Sequence, residues 1–218
     1  MLHVYALVRK PANVPATAGI EDAPLRVVSV ADEIEAVVSE TNGAGAPGEA
    51  AILAHARVVE ALAEANDAVL PARFAHGIAD DGDLRQRLQG RRREVVDAFA
   101  RVSGCVEIAV RAFRASPAAE PAGSGRAYMQ RRLEEVGSAE RLARELESTL
   151  TPLARESASR VLASGESLVA AAYLVPRADV DEFRAAIESF ERSRPELTLV
   201  TTGPWPPYSF ALLEAEAA

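Results

Sequence analysis

The segment Gly203-Pro204-Trp205-Pro206-Pro207-Tyr208-Ser209-Phe210 constrains this chain more than any other stretch. It follows a strand-like run, Leu197 to Thr202, and holds three of the thirteen prolines and the only tryptophan. Proline fixes φ and lacks a backbone N–H, so the strand is expected to stop at Pro204 and continue as an extended, polyproline-like segment. Trp205, Tyr208 and Phe210 ride on that stiff segment, where ordering them costs less entropy than on a flexible loop. Only 5% of the residues are aromatic, so gathering three of them here points to a docking task. Three readings stand: Trp205 anchors the segment on the chain's own core, the segment contacts a partner protein, or Pro204-x-x-Pro207 serves as a proline-rich ligand motif. The first is favoured as the main role of Trp205.

The remaining composition excludes several classes. At 218 residues the chain can bury one large core or two small ones. A net charge of −8 argues against non-specific nucleic-acid binding. The only dense basic run, Arg91-Arg92-Arg93, falls in an expected helix and reads as a solvated face. Cys105 is the sole cysteine, so no internal disulfide forms, in keeping with a reducing cytoplasm. The longest apolar run, Leu168 to Val175, is far short of the roughly 20 residues a membrane helix needs, and the N-terminus lacks a signal-peptide pattern. A soluble, cytoplasmic protein with no lipid-membrane partner is expected.

Periodicity organises the chain as α+β. Leu2, Val4, Ala6 and Val8 alternate as a strand with one apolar side. Pro11 to Pro24 is loop-like, Leu25 to Val30 is a second strand, and Ile34 to Ser39 is a third strand or a short helix, with Val37-Val38 favouring the strand. Asn42-Gly43-Ala44-Gly45 marks a turn. Pro47 to Asn66 is a helix with Ile52, Ala56 and Val59 facing inward. Ala68 to Phe74 is a strand, and Asp80 to Val102 is one helix burying Leu84, Leu88, Val95, Phe99 and Val102. Val106, Ile108 and Val110 alternate as the next strand.

Ala115 to Gly125 reads as a linker. Beyond it Met129, Leu133, Val136, Leu142, Leu146, Leu150 and Leu153 trace an apolar stripe. Gly137-Ser138 and Pro152 interrupt it, so two or three helical segments with a bend are expected. Leu168 to Val175 suits a strand buried on both faces. Asp179 and Glu182 form a capping-box pattern before Val180, Phe183, Ile187 and Phe190. The expected domains are residues 1–114, a linker 115–125, and 126–218. Two strands make a poor sheet alone, so the C-terminal ones are expected to borrow a neighbour such as Val106 to Phe113.

Catalytic and metal signatures are absent from the sequence. His3, His55 and His76 lie in different elements without ligand spacing, and no phosphate loop or nucleophile elbow is present. Asp80-Asp81-Gly82-Asp83 lacks the alternating spacing of a calcium loop and reads as a helix start. Glu107 is expected on a strand opposite the apolar face, as a rim carboxylate beside an arginine. Arg73 reads as a salt-bridge or partner-contact residue. No cofactor is implied, and the chain is read as a non-enzyme.

The octapeptide at 203–210 resembles the closing motif of the gas vesicle protein F/L family. The resemblance continues at Leu70-Pro71-Ala72-Arg73-Phe74, Gly104 to Val110, Gly125 to Met129 with Tyr128, and Ala172 to Pro176. It therefore runs from about residue 69 to 210, with a compatible opening strand. Ala75-His76-Gly77 departs from the family, which has Gly directly after Arg-Phe. The resemblance implies a modified ferredoxin-like N-terminal domain and a smaller, helical-rich α/β C-terminal domain. It implies an accessory or minor structural protein that binds the hydrophobic gas vesicle shell protein, and other accessory proteins, and assists assembly at the protein shell. The candidate partner-binding or structural residues are Arg73, Phe74, Glu107, Tyr128, Trp205, Pro206, Pro207 and Tyr208. The competing class is a ferredoxin-like small-molecule-binding protein or enzyme.

Overall fold

In a computed structural model, which describes residues 1–41, 48–74, 78–114, 124–164 and 167–211, the opening run forms β1 (Leu2–Arg9). It sits inside a four-stranded sheet with β2 (Arg26–Ala31), β3 (Ile34–Glu40) and β4 (Val69–Pro71), in the order β2-β3-β1-β4. β1 runs antiparallel to both neighbours, pairing Leu2 with Glu40 and Leu7 with Leu70. The one-sided alternation expected for β1 is broken by a register shift between Val4 and Ala6. A bulge there reverses the parity of everything after it. Tyr5, Ala6 and Val8 consequently share one core with Val58, Val59 and Leu62 of α1 (Glu49–Ala65). Leu7 turns to the opposite side, toward Leu88 and Val95.

The chain divides into two compact units, Met1–Cys105 with Trp205–Ala218, and Val106–Pro204. This places the division differently from the expected 1–114 and 126–218, because the strand after residue 104 pairs within the second unit's sheet while the C-terminal segment returns to the first unit. Most of the expected linker, and the turn expected at 42–45, lie outside the described residues.

The second unit contains β5 (Cys105–Arg114), α4 (Gly125–Leu150), β6 (Glu156–Ser164), β7 (Ser167–Pro176), α5 (Val180–Arg192) and β8 (Leu197–Trp205). Its sheet order is β6-β7-β5-β8, so the expected borrowing of the Val106–Phe113 strand is realised: β5 lies between β7 and β8. The element sequence is βαββαβ, the ferredoxin-like arrangement. Counted along each unit's own strands, both sheets have the order second, third, first, fourth. The first unit has the same plan without a helix between its first two strands, where only a turn at Ile20–Asp22 stands.

Several helices and strands differ from the expectation. The single helix foreseen over 80–102 is two, α2 (Asp81–Gln89) and α3 (Arg92–Val102), with Gly90 and Arg91 between them. Glycine costs a helix interior about 1 kcal/mol and tips this junction. The converse holds at Gly137-Ser138, where α4 continues unbroken to Leu150 because Ala139, Leu142, Leu146 and Leu150 are buried beyond it. In α1 the buried face is Ala54, His55, Val58, Val59 and Leu62, leaving Ile52 exposed. Strand β6 carries no apolar alternation and was not foreseen. It forms by antiparallel pairing along β7, from Glu156–Leu174 to Val161–Val169. At α5, Asp179 is the N-cap residue but makes no side-chain cap hydrogen bond.

One glycine is required by a close approach. The Tyr5 hydroxyl accepts from Ile20 N at 2.8 Å and shares a 2.8 Å hydrogen bond with Ser39 Oγ. A Cβ on Gly19 would lie 2.4 Å from that hydroxyl. Gly19→Ala is therefore expected to cost about 1–3 kcal/mol. Combining it with Tyr5→Phe removes the clashing oxygen, so urea denaturation of both singles and the double should show less than additive loss. Strict additivity would contradict this account.

Candidate interaction surface

The octapeptide straddles the two units. β8 does not stop at Pro204 but runs through it to Trp205. A strand at the edge of a sheet tolerates a proline because the missing N–H is not needed for the ladder. Gly203 supplies φ 111°, a region closed to other residues, and its carbonyl accepts from Arg184 Nη2 at 2.8 Å.

The rest of the segment belongs to the first unit. Pro206 and Pro207 are buried, Phe210 is 4% exposed, and Tyr208 packs half-buried against the core of Tyr5, Val58 and Leu62. Tyr208 N donates to Pro206 O and Phe210 N to Pro207 O, closing a turn. Arg101 Nη2 on α3 donates to Phe210 O at 2.9 Å. Trp205, the residue favoured as the anchor, is 42% exposed, more open than Tyr208 or Phe210. Three rigid prolines leave the tryptophan little freedom to turn inward, and Phe210, two residues past Tyr208, fills the core instead.

Arg73 and Phe74 follow β4. Arg73 is exposed, while Phe74 closes a buried aromatic cluster, 5.0 Å from the His3 ring and 5.5 Å from His55. Two histidines that are far apart in sequence thus meet. His55 Nε2 lies 2.9 Å from Ala72 O, and a carbonyl only accepts, so this nitrogen carries the proton. His55 Nδ1 is then the acceptor for His3 Nε2–H at 2.8 Å. Burial, and then the neighbouring His55, push His3 down to about 4, and burial also lowers His55. The pair is neutral and structural. No spacing rule could have found it, because β1 and α1 are brought together only by the sheet. His76 lies outside the described residues.

The acidic run at the start of α2 is occupied by structural tasks. Asp80 Oδ1 accepts from Gly82 N and Asp83 N at 2.7 and 3.0 Å, as an N-cap. Asp81 takes both Nη atoms of Arg26, and Asp83 pairs with Arg87. Among the described residues, no three His, Cys, Asp or Glu gather as metal ligands, and no helix is long and apolar enough to cross a membrane.

In the second unit Glu107 is 7% exposed within β5, so the expected rim position is corrected to a buried one; burial on that face is deep at the start of the strand and gives way to an exposed Arg111 four residues on. Tyr128 stands out differently. α4 has 26 residues, and among its described side chains the fully buried stripe begins at Ala139, with Val136 partly buried against the same core. At 1.5 Å per residue, about 20 Å of helix precedes that stripe. Along it Tyr128, Met129 and Leu133 are 52%, 59% and 70% exposed. Periodicity places Met129, Leu133 and Val136 on the core stripe; Val136 is partly buried there, but Met129 and Leu133 are exposed. Isolated surface hydrophobics need no explanation, but here three large ones fall within two turns.

The family model described as Gas vesicle synthesis protein GvpL/GvpF matches residues 1–212. Gas vesicle protein L of Streptomyces sp. (strain CB03234) is 33% identical, over 75% of this chain and 69% of its own length. Gas vesicle protein F of the same strain is 28% identical, over 95% of this chain and 98% of its own. The crystal structure of the gas vesicle protein GvpF from Anabaena sp. PCC7120 superposes with a TM-score of 0.81 at 19% identity, covering 98% of this chain and 96% of that one. GvpF from Microcystis aeruginosa gives a TM-score of 0.75 at 18% identity, covering 97% and 99%.

Proposed function

The chain belongs to the GvpL/GvpF family of gas vesicle synthesis proteins, and on that premise we propose that it binds the hydrophobic shell protein and assists vesicle assembly. The observation that carries this reading is the exposed Tyr128-Met129-Leu133 face near the N-terminus of α4. A shell subunit with an apolar face aggregates before it assembles unless a partner covers that face. Covering what remains exposed of each of these side chains is worth about 1–2 kcal/mol, enough in sum for reversible capture. The protein then acts at the growing shell in the cytoplasm, and Trp205 and Arg73 are further exposed positions for contacts with the shell or with other accessory proteins.

The test is co-expression with a gas vesicle shell protein from the same organism. Wild type should co-purify with it, and Met129→Ala combined with Leu133→Arg should cut recovery about tenfold or more while leaving the melting temperature unchanged, since both positions are exposed. Equal recovery by the variant would remove α4 from the reading. No recovery by wild type would remove the shell protein itself.

A further inference from the structure

We propose that the cleft at the α2–α3 junction binds a partner segment that presents an apolar side chain flanked by carboxylates. The cleft is a pocket of about 330 Å³, large enough for one or two aliphatic side chains. Its apolar lining comes from Leu7 of β1, Ile34 of β3, Leu88 of α2 and Val95 of α3. It exists because the helix breaks at Gly90-Arg91: Leu88 and Val95 lie on opposite sides of the break, where a continuous helix would have carried them along one unbroken ridge.

The mouth supplies the charge. Arg85 and Arg92 stand on either side of the break, with side chains 52% and 60% exposed. Arg85 spends Nε on Ser29 O at 3.0 Å and lies 3.8 Å from Asp81, which is already engaged by Arg26. Arg92 reaches Asp32 through Nη2 alone, at 3.3 Å, and that carboxylate is 87% exposed. A guanidinium has five N–H donors, so each arginine keeps donors for an incoming oxygen. Asp32 also lines the cleft, so its rim carries two guanidiniums against one carboxylate, a small positive excess in a chain of net charge −8. Charge complementarity selects an acidic segment, and the apolar floor selects a peptide side chain over a bare anion.

The inference does not depend on the α4 surface or on the shell protein, and its test uses neither. The full chain, methyl-labelled, is titrated with acetyl-Glu-Leu-Leu-Glu-amide, with its lysine-flanked analogue, and with acetyl-Glu-Ser-Ser-Glu-amide. The methyl resonances of Leu7, Ile34, Leu88 and Val95 should shift saturably with the first peptide only. Arg85→Glu with Arg92→Glu should weaken that binding at least tenfold. Gln89→Trp, which fills the mouth from an exposed position, should do the same without touching charge. Absence of shifts, equal shifts with the lysine-flanked or serine peptide, or unchanged affinity in Gln89→Trp would overturn the assignment. Co-purification of the shell protein, measured separately, can succeed or fail either way.

Discussion

Phe210→Ala is expected to destabilise the protein by about 3–5 kcal/mol, the usual cost of emptying an aromatic site in a core. Phe210 is 4% exposed, and its own carbonyl is held by Arg101. For a chain of this size each kcal/mol moves the melting temperature by about 2–4 °C, so a drop of about 6–20 °C should follow. Trp205→Ala should cost far less, about 1–2 kcal/mol, because the residue is 42% exposed. The comparison is made by calorimetry on the two single variants. A melting temperature that falls as far for Trp205→Ala as for Phe210→Ala would mean that the tryptophan is the anchor after all. If Trp205→Ala instead leaves melting nearly unchanged and weakens recovery of the shell protein, the octapeptide has two jobs: Pro206, Pro207 and Phe210 fasten it, and Trp205 faces a partner.

The second large effect is a loss of stability on mild acidification. His3 is neutral in the folded chain because burial holds it at about 4, against an ordinary 6.5 once the chain unfolds. Between those values the unfolded state binds more protons than the folded state, so stability falls as pH drops through 6.5 toward 4 and is fully present above 6.5. A shift of this size corresponds to about 3 kcal/mol, and the lowered His55 acts in the same direction. The hydrogen-bond geometry adds a reason. His55 Nδ1 must stay bare to accept from His3, so protonating it would set two N–H groups against each other. Asp81 also departs from its ordinary value, lowered mainly by its hydrogen bond to Arg26, but its contribution is present above 3.8 and fades only below that, outside the histidine window. Urea midpoints measured from pH 7 to 4.5 should decline steeply in wild type. They should decline much less in His3→Gln, which keeps a donor toward His55 but cannot take up a proton. A flat wild-type profile would count against the buried neutral pair.

The helices that could be read from the sequence are those whose apolar spacing is local. Phe183, Ile187 and Phe190 of α5 and Val95, Phe99 and Val102 of α3 are buried as their period requires. β7 is buried along most of its length because it is central in its sheet, and its apolar run already says so. β6 was invisible because an edge strand needs only backbone pairing on one side, which leaves no mark in its side chains. The candidate residues divide in the same way. Tyr128, Pro206, Pro207 and Tyr208 could be singled out as a motif. Which of them face solvent could not, because exposure depends on which turns of α4 pack on the core and on which unit the C-terminal segment joins.

By itself, the sequence determined the α+β class, most strands and helices, the family, and the stiffness of the 203–210 segment, all of which rest on contacts or dihedral limits within a few residues. Only the tertiary structure decided the bulge that turns Tyr5 and Ala6 to one side, the pairing of His3 with His55, the split between α2 and α3, and the exposure of Leu133. Each of these is settled by a free-energy balance between partners distant in the chain. A break at Gly90 or a neutral buried imidazole costs little enough that packing elsewhere in the fold chooses the outcome.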